Sequence, residues 1–289
     1  MEFDIQNALT NNDCTTAITL STLLYNSQYS DNTIRMLFAS SQGCNVGIQL
    51  YPLITSLGTA NFSTPDNMFK SMVQLFPSQF ALDSKEQSTL LMQDALQSIL
   101  NPATVVGAPN QVVANAFNIG SDLTRDHTPD ANAFLVFTAM AGVGTNLNRN
   151  GYVAGDNPAA LAFAPDAASA LFAAGTTWNT KARIKADTTQ QGCALASSLY
   201  NMFDAIAAVS NLTAGPIKQA FGLIGLVQSL IIDPAGLNQC TTVDGFTAQQ
   251  CADAAIRLRF RGACLEQDPA ASWAAGVIIA ITNPATGWN

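Results

Sequence analysis

Charge is what this sequence has least of. Only 11% of its 289 residues are Asp, Glu, Lys or Arg, against roughly 25% in an ordinary soluble domain. The 12 Lys and Arg are outnumbered by 20 Asp and Glu, for a net charge of −8. That balance excludes a nucleic-acid partner, because phosphate binding needs a basic footprint. The acid is concentrated early, with eleven Asp/Glu and four Lys/Arg in residues 1–130. There is one histidine, His127, so a His-x-x-x-His zinc pair is impossible, and no Gly-x-Ser-x-Gly elbow occurs. No apolar run approaches the ~20 residues of a membrane span. The longest, Ala133 to Gly144, Ala220 to Ile232 and Ala274 to Ile281, read as buried core helices. Met1-Glu2-Phe3-Asp4 has neither the basic start nor the apolar stretch of a secretory signal.

What is there is apolar and amide-rich. Hydrophobic residues make up 48% of the chain, which excludes disorder as its overall state. The length suits a single domain over residues 1–289, with soft boundaries conceivable near 101–130 or 175–187. Asn, Gln, Ser and Thr are expected to supply the surface polarity that charged residues do not.

Helical spacing dominates the pattern. Asp13 is placed to cap a helix to Asn26, and Asp31 precedes a second stripe of Ile34, Leu37 and Phe38 with Gly43 as its terminator. A third stretch, Val46 to Leu57, carries Pro52 as a kink. Further helices are expected at Pro65–Phe76, Ser84–Leu100, Asp130–Val143, Pro158–Ala174, Thr188–Ser210, Pro216–Ile232, Thr247–Phe260 and Ala270–Ile281. The breaks between them are rich in Gly, Pro and Asn. The expected fold is all-α: antiparallel helical hairpins packed as a bundle or a short irregular α-solenoid.

Six cysteines, Cys14, Cys44, Cys193, Cys240, Cys251 and Cys264, are even in number and lack metal-like spacing. That argues for disulfides and an oxidising compartment, either bacterial periplasm or envelope, or secretion. The chain is then a mature form whose export signal has been removed. Cys14 lies about one helix length before the Ser27-Gln28-Tyr29-Ser30 turn and Cys44 about one after it, so their side chains meet at one level. Among the other four, Cys193 to Cys240, or Cys240 to Cys251 with Cys193 to Cys264, remain alternatives.

Successive short helix pairs, with Ile34, Leu37 and Ala39 on one helix and Val46, Tyr51 and Ile54 on the next, resemble a degenerate tetratricopeptide-like repeat. The resemblance covers Thr33 to Leu57, and no strict 34-residue period follows. It implies protein or peptide binding on a concave surface.

The chemistry-bearing candidates are few. His127 stands between Asp126 and Asp130, which would suit a general base or hydrolase site; the plain alternative is a solvated loop ending in a helix cap. Asn146, Asn148 and Asn150, followed by Gly151 and Asp156, resemble the start of an EF-hand calcium loop. All three Asn replace Asp and Asn157 replaces Glu, so Ca²⁺ would be held weakly. Arg257-Leu258-Arg259-Phe260-Arg261 is the one cationic cluster, read as a helix end and alternatively as a contact for an anionic partner or lipid. Asn61 and Asn211 sit in glycosylation-type triplets; Trp178, Trp273 and Trp288 are scattered. The expectation is a non-enzymatic exported protein for interaction or assembly, its partner another protein or peptide. The alternative is a small-molecule or metal-binding module with a pocket near residues 122–157. No transmembrane segment is expected, and peripheral association through charge-poor segments is the remaining membrane option.

Overall fold

The computed structural model describes residues 1–48, 83–101, 128–153, 182–184 and 189–209, together with Thr247, Arg259 and Phe260. Within them the chain is helical: α1 Glu2–Thr10, α2 Cys14–Ser27, α3 Asn32–Val46, α4 Asp83–Leu100, α5 Thr128–Asn150 and α6 Thr189–Val209. One short antiparallel pair accompanies them, β1 Gly151–Val153 on β2 Ala182–Ile184, with Tyr152 opposite Arg183. Among the described residues no helix is long and apolar enough to cross a membrane. The helices expected between residues 49 and 82, and those at Pro158–Ala174, Pro216–Ile232 and Ala270–Ile281, lie outside the described residues. So do Cys240, Cys251 and Cys264, Asn61 and Asn211, and the three tryptophans.

Local chemistry explains where the helices begin. Asp13 accepts from the Thr16 N–H at 3.1 Å and caps α2; that bond holds its carboxyl below the usual range. Asp31 accepts from the Thr33 and Ile34 N–H groups at 2.7 and 3.3 Å and caps α3. The sequence pattern did not mark α1. It buries only Ile5 and Ala8, and places Glu2 and Asp4 at its N-terminal turn, where negative charge suits the helix dipole.

The stop of α3 corrects the expectation. Gly43 is helical and buried, and α3 ends at Gly47, whose φ of 76° only glycine adopts without strain. Gly47 N–H donates to the Cys44 carbonyl and Ile48 N–H to that of Gly43, both at 3.0 Å, closing the helix end. Gly43 serves packing: a Cβ there would stand 3.3 Å from Met92 Sδ on α4. Val46 therefore closes α3 and does not open a new helix.

Packing follows chain order. α1 lies on α2 and α3, α3 on α4, α4 on α5, and α5 on α6. Cys14 at the start of α2 is bonded to Cys44 near the end of α3, with a Cα–Cα distance of 5.4 Å. At the other end of the pair, Tyr25 and Phe38 stack with ring centroids 4.3 Å apart and planes 6° from parallel. Offset or stacked aromatic pairs add about 0.5–1.5 kcal/mol beyond their burial. Arg35, 2% exposed, then fastens three elements. It donates to the Tyr29 carbonyl (2.6 Å), to Asn32 Oδ1 (3.0 Å) and to the Ser98 carbonyl in the last turn of α4 (2.7 Å). A helix C-terminus offers unpaired carbonyls and partial negative charge, so a cation there serves as a cap.

Candidate functional site

α4 and α6 are buried along nearly their whole described length, and their interface is polar. Residues 194–206 of α6 are all buried, including Ser197, Ser198, Asn201 and Asp204. On α4, Gln93 and Gln97 are four residues apart and so share one face; they are 0% and 1% exposed. Gln93 Nε2 donates to Ser198 Oγ at 3.1 Å, and Asn201 Nδ2 donates to Gln93 Oε1 at 3.0 Å. Gln97 Nε2 donates to Asn201 Oδ1 at 2.8 Å, and Asn101 Nδ2 to Gln97 Oε1 at 3.0 Å. The result is a ladder of amides in which each carbonyl faces an N–H, the condition for burying such groups without a large desolvation cost.

An ion pair closes the ladder at its far end. Arg259 Nε donates to Asp204 Oδ2 at 2.5 Å and Arg259 Nη2 to Asp204 Oδ1 at 3.1 Å, a two-point fork. The guanidinium carbon lies 4.9 Å from the centre of the Tyr200 ring, within cation–π range. The Arg259 carbonyl accepts from Asn201 Nδ2 at 3.1 Å. Phe260, 1% exposed, is buried beside it.

This overturns two expectations. The amides do not serve only the surface; many of them line the core. Arg259 is not a free cation for an anionic partner or lipid. It sits in a turn, 5% exposed, with its charge committed to Asp204, so the helix expected over Thr247–Phe260 does not run through its last two positions. Arg257 and Arg261 lie outside the described residues.

α5 presses against the same seam. A Cβ on Gly142 would lie 2.7 Å from Gln93 Nε2 and closer still to Ser198 Oγ, so any larger residue there would have to displace the Gln93–Ser198 hydrogen bond. Thr138 turns its hydroxyl back to the Phe134 carbonyl at 2.7 Å. The helix expected at Asp130–Val143 begins two residues earlier and continues to Asn150.

That extension relocates the candidate ligands. Asn146, Asn148 and Asn150 stand on the last turns of α5, and Gly151 opens β1. The calcium reading needs a loop through those positions, and helical backbone does not offer one; Asp156 lies outside the described residues. Of the proposed acid–base set, Asp130 is exposed in the first turn of α5, and is not its cap. Asp126 and His127 are outside the described residues, as is the side chain of Cys193. Among the described residues no group of three His, Cys, Asp or Glu is arranged to hold a metal ion. The residues that pattern reading missed are Gln93, Gln97, Asn201 and Asp204. Part of their signal was present: Gln93 and Gln97 stand four residues apart on α4, and Asn201 and Asp204 three apart on α6, so each pair shares one helix face.

The seam's chemistry is cohesion. Among the described residues, the amides of Gln93, Gln97 and Asn201 are turned onto partners within the seam, and the Arg259 cation is matched by the Asp204 carboxylate. No protein-family model matches this chain, and neither a curated protein nor a solved structure does so.

Proposed function

We propose that this chain is an exported, non-enzymatic helical protein that acts through its surface as an interaction or assembly component. The observation that carries the reading is the use made of its polar side chains. Gln93, Gln97, Asn201, Asp204, Arg259 and Arg35 all fasten one segment of the chain to another. A framework of this kind holds a surface in shape, whereas an enzyme directs part of its buried polarity at a substrate. Export is supported by the Cys14–Cys44 bridge, since such bonds persist in oxidising compartments. In-order helix packing supports a bundle or short solenoid as the scaffold.

The exposed apolar side chains are the natural contact points: Phe3 is 76% and Leu23 58% exposed. Photo-crosslinking residues placed singly at Phe3, Leu23 and the exposed polar Thr19 test the idea in the native extracytoplasmic extract. The expected result is one discrete adduct whose yield depends on the position carrying the crosslinker. If none of the three positions gives a discrete adduct, the interaction reading fails.

A further inference from the structure

The Cys14–Cys44 bridge has two unlike ends. Cys14 is the first residue of α2, directly after its cap, where backbone N–H groups point at incoming negative charge. Cys44 lies in the last turns of α3, where carbonyls dominate. A thiolate is therefore stabilised at Cys14 and disfavoured at Cys44. Both residues are only half-buried. The Asn12 side chain lies over the bond, with Oδ1 3.9 Å from Cys14 Sγ and 3.8 Å from Cys44 Sγ, and so favours neither. The Asn12 carbonyl, 3.8 Å from Cys14 Sγ, opposes the asymmetry. So does the Asp13 charge, but that carboxylate is exposed and turned onto the Thr16 N–H.

We propose that this disulfide is a directional thiol-exchange site: an incoming thiolate attacks Cys44 Sγ and Cys14 leaves. The anionic Asp13 also turns an anionic thiol away from Cys14. In the first step the new bond joins the external sulfur to Cys44, and the old bond's electron pair departs on Cys14. A second external thiolate then attacks the external sulfur of the mixed disulfide and releases Cys44 as thiolate. Two thiols are oxidised to one external disulfide as the protein bridge gains two electrons. The reagent class is a small anionic thiol.

Glutathione is the probe. The intact oxidised protein is exposed to excess glutathione at neutral pH, quenched in acid, alkylated and digested, and the two peptides are read by mass spectrometry. The expected outcome is glutathione on Cys44 and alkyl label on Cys14, in severalfold excess over the reverse. Equal or reversed labelling overturns the proposal. So does a bridge that stays intact under conditions that exchange an unstructured peptide disulfide.

Discussion

The two halves of the described fold answer one problem in opposite ways. Around α2 and α3, helices are joined by a covalent bond at one end, an aromatic stack at the other, and a single buried arginine that reads backbone carbonyls. Between α4 and α6 there is no covalent link in view; side-chain amides read one another, and an ion pair seals the end. The first solution tolerates local imperfection, because each device acts alone. The second is collective. Removing one rung leaves its neighbours buried and unmatched, which costs more than the rung itself contributed.

That contrast can be broken most severely at Arg259. Arg259→Met strands the Asp204 carboxylate in the core, and about 3–5 kcal/mol of stability should be lost in urea unfolding. The double variant D204L/R259M should recover most of that loss. A double variant no better than the single one would show that the pair is cohesive in its own right and not merely mutually compensating. Next in size is the bridge: Cys14→Ser with Cys44→Ser should cost about 3–4 kcal/mol in the chain-entropy model. This loss should leave the unfolding transition as cooperative as before, whereas the Arg259 variant should broaden it.

The aromatic end is tested by pH. Burial, and then the nearby Asp94 charge, push the Tyr25 hydroxyl from 10.0 up to about 12. A group whose folded value is raised stabilises fully below its unfolded value, and that contribution is lost as pH climbs through the folded value. Stability should thus fall by about 2–3 kcal/mol between pH 10 and pH 12 and above. Tyr25→Phe should flatten this decline, and an unchanged slope would assign it elsewhere. The smallest effect is expected at Asp31→Ala, which removes the α3 cap and should cost about 1 kcal/mol by thermal unfolding.

How much of this was legible depended on whether the deciding contact was local. Asp13 and Asp31 are caps because their carboxylates meet N–H groups two or three residues on, so short-range pattern sufficed. The Cys14–Cys44 pairing was legible because helix lengths alone bring the two residues level. Gly43 and Gly47 are four residues apart and equally plausible as stops. What separates them is Met92, far along the chain and pressed on Gly43. The same holds for α5: Gly142 and Gly144 weaken a helix by propensity, yet close packing on α4 and α6 carries it to Asn150. Arg259 was misread because its counter-charge is 55 positions away. Amides were assigned to the surface on composition alone, when only partners on another helix reveal that they belong inside. Asp126 and His127 fall outside the described residues.

The ladder also imposes an order in time. Gln93 and Gln97 find their partners 104 to 108 residues further along the chain. At a synthesis rate of about 5–20 residues per second, α4 waits roughly 5–20 s for α6 to emerge. Throughout that interval its amides must stay hydrated, so α4 cannot dehydrate that face. The N-terminal helices need no such delay, since their bridge spans 30 residues. One end of the nascent chain can mature while the centre is still being made.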